Sequence, residues 1–211
     1  MRIEDLLGRE PISMKVESIS RGIAGKRVMV TGGAGSIGSE IVRQLLYLNP
    51  ESITIVDQAE SAVFEIKNEI LPMLGEIQLY AYVSDVTIVN KMRRIFSISQ
   101  PQIIYHAAAY KHVPIMELQP YEAISNNVGG TRNIADLSVE FGVEKFVMIS
   151  TDKAVNPTNV MGATKRICEI YIQALSQHSG MKTQFITTRF GNVLGSNGSV
   201  IPIFKRQIST G

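Results

Sequence analysis

The sequence predicts an α/β domain, a doubly wound parallel sheet with helices on both faces. Three observations predict it. Strand-like runs alternate with helix-like segments, the strands are apolar throughout rather than half polar, and a glycine-rich turn follows the first strand. The 211 residues are 45% hydrophobic and 19% charged, which is typical of one domain with a substantial core. The expected class is therefore a Rossmann-type domain.

The elements follow one another in a regular order. Predicted strands lie at residues 26–32, 52–57, 77–85, 102–109, 144–150 and 183–190. Predicted helices lie between them, at residues 36–49, 60–72, 87–98, 118–141 and 159–178. The domain is expected to span residues 26–211, after a leader with a short helix at residues 1–25. The sequence gives no function for that leader.

The charge, the cysteine content and the apolar runs of the sequence limit the kinds of partner and cellular location that can be expected. A formal net charge of +2 without a basic block gives no reason to expect nucleic acid. The single cysteine, Cys168, cannot form an internal disulfide and has no metal-ligand spacing around it, so a reducing cytoplasm and no metal are predicted. No apolar run reaches the roughly 18 residues of a membrane span. A soluble cytoplasmic chain that binds a small molecule is the resulting expectation.

The segment "TGGAGSIGSE", residues 31–40, has the glycine spacing of a phosphate-binding turn. It satisfies G-x-x-G-x-x-G and also G-x-G-x-x-G, and it stands between a predicted strand and a predicted helix. There the backbone approaches a pyrophosphate at a helix N-terminus. A tight structural turn is the alternative interpretation. The predicted cofactor contacts in this segment are Gly32, Gly35, Ser36, Ile37 and Gly38.

Two aspartates end neighbouring predicted strands. Asp57 stands 19 residues beyond Gly38, where a carboxylate can accept hydrogen bonds from the adenosine ribose, which favours NAD over NADP. NADP remains possible, since an aspartate at a strand end is also a common turn residue. Asp85, followed by Val86, is predicted to face the adenine. Capping of the next helix is the alternative role for Asp85.

The segment "STDKAVNPTNVMGATKR", residues 150–166, has the position of a catalytic segment but lacks its tyrosine. Short-chain dehydrogenases place a tyrosine four residues before a lysine, so that both project from one helix face. Here Met161 and Lys165 have that spacing. A thioether cannot transfer a proton. Another group must therefore carry the proton if the protein is an enzyme.

Thr151, Asp152 and Lys153 are the candidates for that group. They follow the fifth predicted strand, at the edge of the sheet where open α/β domains bind ligands. An adjacent acid and amine in one crevice can divide the acid and base duties. An exposed ion pair in a loop, worth little energy, is the alternative.

Five motifs resemble those of a known family and occur in the same order. They are "TGGAGSIGSE" at 31–40, "HAAAYKHVP" at 106–114, "NNVGGTRN" at 126–133, "STDKAVNPTNVMGATKR" at 150–166 and "RFGNVLGSNGSVIP" at 189–202. The chain resembles the extended short-chain dehydrogenases of polysaccharide biosynthesis, a group that includes the UDP-N-acetylglucosamine 4,6-dehydratases. Met161 and the leader "RIEDLLGREP" make it similar to the CapD/WbpM-like branch. That branch is membrane-anchored, so an anchor elsewhere in a longer parent protein is compatible with the resemblance.

The resemblance implies roles for individual residues. Ala107 and Ala108 would lie along the cofactor, and Lys165 would bind the nicotinamide ribose. Asp152 and Lys153 would be the acid and base pair. The resemblance also implies substrate contacts, for which a surface lysine and a turn asparagine are the plain alternatives: Lys111 and Asn192. His106 is expected to be a hydrogen-bonded imidazole rather than a base.

The implied reaction is a redox-neutral 4,6-dehydration of a UDP-sugar. Oxidation at C4, loss of water across C5 and C6, and return of hydride to C6 use one bound NAD(P), with Asp152 as the hypothetical base at C4. A nucleotide-sugar epimerase and a non-catalytic NAD-binding regulatory module are the alternatives. Family members continue past the sixth strand into a substrate lobe. We therefore expect this chain to lack that lobe, to turn over poorly alone and, by analogy, to form a homo-oligomer.

Overall fold

A six-stranded parallel sheet forms the centre of the molecule. The computed structural model describes residues 16–178 and 180–191, with no side-chain description for residues 16–19. The strand order is β3-β2-β1-β4-β5-β6, and every neighbouring pair is parallel. This confirms the predicted fold class. The strands are β1 (Arg27–Thr31), β2 (Ser52–Asp57), β3 (Gln78–Val83), β4 (Ile103–His106), β5 (Lys145–Thr151) and β6 (Gln184–Phe190).

Helices cover both faces of this sheet. Two 3-10 turns (Leu71–Met73 and Asp152–Ala154) and a π-helix (Ile124–Gly129) add to them. Within the described residues none of these helices is both long and apolar enough to cross a membrane. The α-helices are α1 (Val16–Ile23), α2 (Ser36–Leu46), α3 (Glu60–Ile70), α4 (Val89–Ser99), α5 (Val113–Leu118), α6 (Pro120–Ala123), α7 (Gly130–Glu140) and α8 (Val160–Ser176).

Alternate residues of the strands enter two separate apolar cores. In β1, Met29 packs into the core under α4, α7 and α8, whereas Val28 and Val30 pack into the core under α2 and α3. This alternation follows from the two-residue period of a strand. The central strands β1, β2 and β4 are buried on both faces and are mostly apolar. The edge strands β3 and β6 are only partly buried and include polar residues, so the expectation of strands that are apolar throughout is wrong for these two.

The predicted helix at residues 118–141 is wrong as a single element. The structure has α5, α6, the π-helix and α7 in its place. Pro120 disfavours helical dihedrals in the residue before it, and Gln119 adopts φ −133° and ψ 61°, which separates α5 from α6. The π-helix then widens one turn. Buried side chains in that turn, Asn126 and Asn127, approach the C-terminal edge of the sheet.

The strand order creates a crevice at that edge. Successive strands are added in opposite directions on the two sides of β1: β2 and β3 lie on one side, and β4 to β6 lie on the other. The order of the strands therefore switches between β1 and β4. Open α/β sheets bind ligands outside the carboxyl ends of the strands at such a switch point. Residues of the loops after β1, β2, β3 and β4 line the crevice, and the loop after β5 leaves the same edge of the sheet.

Candidate cofactor and active site

The glycine-rich turn after β1 packs so closely that side chains cannot fit in it. Gly32 has φ 69°, and a Cβ there would lie 2.5 Å from the backbone nitrogen of Ala108. A Cβ on Gly38 would lie 2.0 Å from the carbonyl oxygen of Gly32. The first turn of α2 therefore rests directly on the loop, and Ser36 and Ile37 belong to that turn. Gly35 is the N-cap and supplies no side-chain cap to the helix N–H groups. These features fit a bound pyrophosphate.

Asp57 is tied to the glycine-rich turn by its own carboxylate. One oxygen, Oδ2, accepts a hydrogen bond from the backbone N–H of Ala34 at 3.1 Å, and Oδ1 accepts from that of Ala59 at 3.0 Å. The residue also lines the cleft at the sheet edge. A carboxylate has about four lone-pair positions, so acceptor capacity remains for a ribose hydroxyl.

Asp85 lines the cleft but does not cap α4, whose N-cap residue is Ile88 without a side-chain cap. Its Oδ1 accepts a hydrogen bond of 2.7 Å from the backbone N–H of Thr87, which stabilises the turn before α4. Asp85 and Val86 nevertheless line the same cleft as Asp57. The structural role therefore occupies only part of the carboxylate.

The cleft gathers most of the predicted cofactor contacts. Seven of them line it: Gly32, Gly35, Asp57, Asp85, Val86, Ala107 and Ala108. Gly38, Ser36 and Ile37 lie in the helix turn behind it. Several other lining residues were not predicted from the sequence, although Gln58, Ser84 and Tyr110 stand at or next to the ends of predicted strands. Asn126 had no such signal, because it lies in the π-helix.

Lys165 is a buried cation on α8. Its exposed fraction is 4%, and burial lowers its pKa, an effect that the charges of Cys168 and Glu169 partly offset. Buried cations are costly unless they are paired. The position is therefore compatible with a lysine that donates hydrogen bonds to a bound ligand.

His106, at the end of β4, is neutral and fully hydrogen bonded. Its Nδ1 lies 2.7 Å from Oγ1 of Thr31, and its Nε2 lies 3.0 Å from Oγ1 of Thr131. Burial, with the nearby Lys165 charge, lowers the pKa of His106 to about 3. Neither ring nitrogen is available to act as a general base.

Met161 packs as an apolar residue one turn before Lys165. Its exposed fraction is 4%, and it forms a small cluster with Met116 and Ala123, against which the Tyr110 ring packs. The position that holds a tyrosine in short-chain dehydrogenases thus contributes packing to the α5/α8 contact. Nothing in this environment gives Met161 a part in proton transfer.

Asp152 and Lys153 form an accessible ion pair in the 3-10 turn after β5. Asp152 Oδ1 accepts a hydrogen bond from the Thr151 hydroxyl at 2.9 Å and one from Lys153 Nζ at 3.2 Å. These bonds, the Thr151 bond most, lower the pKa of Asp152. The Asp152 side chain is 57% exposed. An ionised carboxylate at this edge is open to a substrate hydroxyl.

The N-terminus of α8 rests on this turn. Asn159 caps the helix by accepting the backbone N–H of Gly162 at 2.8 Å, and a Cβ on Gly162 would lie 2.3 Å from the carbonyl oxygen of Lys153. Only glycine therefore allows α8 to approach the Asp152–Lys153 backbone this closely.

Gly162→Ala is expected to lower the free energy of unfolding by about 2 kcal/mol, because the new methyl group overpacks the contact with Lys153. Urea unfolding measures the change. Gly129→Ala is the control, since its helical φ of −61° suits alanine and its Cβ would meet nothing within 4 Å. We expect that control to match the parent or exceed it slightly. Equal losses in the two variants would contradict the packing argument.

Glu169 joins α8 to the ends of β5 and β6. Ser150 Oγ and Arg189 Nε donate to its Oε1 at 2.6 and 2.7 Å, while Arg189 Nη2 and Arg166 Nη1 donate to its Oε2 at 2.5 and 3.1 Å. Burial alone would raise the pKa of Glu169. The hydrogen bonds from Arg189, Ser150 and Arg166 outweigh burial and lower it to about 2. The sequence analysis missed this network.

Asn127 holds the loop after β4 against α8. Its Oδ1 accepts the backbone N–H of Tyr110 at 2.8 Å, and its Nδ2 donates to the Tyr110 carbonyl at 3.1 Å and to Thr164 Oγ1 at 3.0 Å. The "NNVGGTRN" motif contains this residue, yet nothing in the sequence shows which groups the carboxamide reaches.

Of the two predicted substrate contacts, only Lys111 lies within the described residues. Lys111 is exposed in the loop after β4 and is absent from the cleft lining. Asn192 lies outside the described residues, as do the leader residues 1–15. In residues 16–178 and 180–191, no group of three or more His, Cys, Asp or Glu side chains could hold a metal ion.

Residues 28–211 match the sequence profile of a family described as polysaccharide biosynthesis protein. The chain belongs to this polysaccharide biosynthesis protein family. The resemblance drawn from the five motifs is therefore confirmed. The matched range runs from β1 through the cofactor cleft and the Asp152–Lys153 turn, so family membership covers every described part of the candidate site.

The chain is also similar to individual proteins of known description. The chain is 49% identical, over its whole length, to the capsular polysaccharide biosynthesis protein CapD of Staphylococcus aureus, and it covers 35% of that protein. It is 38% identical to an inverting UDP-N-acetylglucosamine 4,6-dehydratase of Campylobacter jejuni, with 89% of the chain and 55% of the relative aligned. The chain thus spans about a third to about half of these relatives.

A solved structure shows the same fold. A UDP-glucose 4-epimerase of Thermotoga maritima, determined with UDP-glucose, superimposes with a TM-score of 0.73 at 25% identity. The alignment covers 85% of this chain and 62% of the epimerase. The family places the chain among polysaccharide biosynthesis proteins, and the proteins that it is similar to include a dehydratase and an epimerase of nucleotide sugars.

Proposed function

We propose that the protein containing this chain is a nucleotide-sugar 4,6-dehydratase acting on a UDP-N-acetylglucosamine-like substrate in surface polysaccharide biosynthesis. The observation that carries the proposal is the accessible Asp152–Lys153 pair, which stands at the end of β5 on the turn where α8 begins. This pair offers an acid and a base to one substrate. The Campylobacter dehydratase supports the choice of reaction and sugar.

The cofactor of the proposed reaction is NAD, with NADP as the alternative. The close backbone packing at Gly32 and Gly38 sets the N-terminus of α2 directly on the glycine-rich turn, where its N–H groups suit a pyrophosphate. Asp57 at the end of β2 lines the cleft and favours an unphosphorylated ribose. When bound, NAD supplies a hydride acceptor for C4 of the sugar and a hydride donor for C6. Lys165 donates its buried ammonium hydrogens to the nicotinamide ribose hydroxyls.

The chain's own groups move the protons. Asp152 accepts the proton of the C4 hydroxyl, directly or through one water, and the Thr151 hydroxyl orients its Oδ1. Lys153, in its neutral amine form, then removes the C5 proton, which the C4 ketone has made acidic, and gives that proton back to C5 when hydride adds to C6. Asp152 returns its proton to the departing C6 hydroxyl, so one water leaves and no net oxidation occurs.

Two other functions use parts of the same site. A nucleotide-sugar epimerase needs the C4 oxidation but no acid to expel the C6 hydroxyl, and the fold shared with the Thermotoga epimerase is compatible with it. A non-catalytic NAD-binding regulatory module needs neither Asp152 nor Lys153. Their accessible pairing therefore favours an enzyme.

Incubation of the full-length protein with UDP-N-acetylglucosamine tests the proposal, with mass spectrometry and NMR of the product. We expect a mass loss of one water and a 4-keto signal. Unchanged mass with altered stereochemistry at C4 or C5 would mean an epimerase. NAD(H) binding without conversion of any UDP-sugar in a panel would favour the regulatory module.

Two further expectations belong to the proposal. The 211-residue chain alone is expected to bind the cofactor but to turn over poorly, since it spans only about a third to about half of the relatives that it matches. A homo-oligomer stays a prediction. Exposed isoleucines on α8, Ile167 and Ile170, are compatible with it.

A further inference from the structure

One hydrogen bond joins the two walls of the cofactor cleft. Gln58 Nε2 donates to the Tyr110 hydroxyl oxygen at 3.1 Å. Gln58 follows β2 and Tyr110 follows the end of β4, and these strands flank β1 on opposite sides. Both residues line the cleft with Gly32 and Gly35 of the glycine-rich turn. The bond therefore crosses the groove that begins at β1.

Tyr110 is the fixed end of this bond. Asn127 pairs with both its backbone N–H and its carbonyl oxygen, and the same carboxamide is bonded to Thr164 on α8. The Tyr110 ring packs against the cluster that contains Met161. Its hydroxyl is thus held in place by the helix that carries Lys165.

Gln58 is the movable end. Its side chain is exposed, whereas the preceding residue, Asp57, is fixed by hydrogen bonds from Ala34 and Ala59. Exposed side chains change rotamer within nanoseconds. The Gln58 carboxamide can therefore leave Tyr110 and return without movement of the cleft floor.

We propose that Gln58 and Tyr110 form a clasp across the cofactor cleft, which opens to admit the dinucleotide and closes over it to slow its release. This inference rests on the proposed function, because a dehydratase that returns its hydride within each cycle has no need to exchange cofactor. A retained cofactor is re-used at once, whereas a lost one leaves the sugar oxidised at C4.

Release of bound NADH from the full-length protein tests the clasp. NADH fluorescence is followed after addition of excess NAD⁺. Tyr110→Phe keeps the ring packing but removes the acceptor, and Gln58→Leu removes the donor at similar size. Each is expected to raise the release rate about fivefold, the equivalent of one hydrogen bond. The double variant should release no faster than either single variant.

Tyr80→Phe is the matched control. The Tyr80 hydroxyl donates to Gln78 Oε1 at 3.1 Å within β3. The substitution therefore removes a tyrosine–glutamine hydrogen bond of the same length, but away from the cleft. We expect the parent release rate in this variant. An unchanged rate in Tyr110→Phe, an equal acceleration in Tyr80→Phe, or multiplicative effects in the double variant would overturn the clasp alone. Absence of NADH binding to the parent protein would overturn both the clasp and the proposed cofactor.

Discussion

Asp152→Asn is expected to lower turnover of the full-length protein about 100- to 10,000-fold, the range that general acid–base catalysis contributes. The asparagine keeps the shape of the side chain and can still accept a hydrogen bond from Thr151, but it cannot take the C4 proton or deliver one at C6. Steady-state turnover with UDP-N-acetylglucosamine measures the loss. Asp136→Asn, on the exposed side of α7 beside Tyr171, is the charge-matched control and should turn over normally.

A second variant separates the two members of the pair. Lys153→Ala is expected to abolish exchange of the C5 proton with solvent deuterium, because the amine that removes this proton is gone. Oxidation at C4 should persist, since Asp152 is intact. Normal turnover in Asp152→Asn would refute its role as base and acid. C5 exchange at the parent rate in Lys153→Ala would assign that step to another group.

Glu169→Gln is expected to lower the free energy of unfolding by about 3 kcal/mol near neutral pH. The pKa of Glu169 falls from its ordinary 4.5 to about 2 in the folded chain, and one pKa unit corresponds to about 1.4 kcal/mol. The side chain is 5% exposed, so solvent screens its pairing little. Glutamine keeps some of the hydrogen bonds but none of the charge that two arginines face. Chemical unfolding measures the loss.

The same variant has a defined pH dependence. A carboxylate whose pKa is lower in the folded state stabilises above its unfolded pKa, and this contribution disappears as pH falls towards the folded pKa. The gap between parent and Glu169→Gln should therefore be full above about pH 5 and shrink between about pH 4.5 and 2. Glu140→Gln, which breaks an exposed pair with Arg93, should change stability little at any pH. A pH-independent gap would contradict the Glu169 assignment.

Most of the fold could be predicted from local features of the sequence. Sequence runs located all six strands: the central ones as continuous apolar runs, because they are buried on both faces, and the edge strands β3 and β6 by their β-branched and aromatic residues. The glycine turn was predictable since its spacing reflects backbone contacts within about ten residues. The division of the helical region after β4 was not predictable in this way. Its apolar residues have the period of one long helix, whereas Pro120 and the π-helix divide it into several elements.

Side-chain contacts between elements that are distant in the sequence could not be predicted. Asn127 reaches Tyr110 and Thr164, and Glu169 reaches Ser150 and Arg189, over separations that no periodicity encodes. Asp152 and Lys153 could be singled out because they are adjacent and follow a strand. Their catalytic roles, like those of the predicted cofactor contacts, stay predictions until the variants are measured.

The burial of Met161 bears on any redesign of the site. Met116, Ala123 and Tyr110 pack around the thioether, so a tyrosine at position 161 would bring a larger ring and a hydroxyl into space shaped for methionine. A redesign that places a tyrosine there would therefore have to change these neighbours as well.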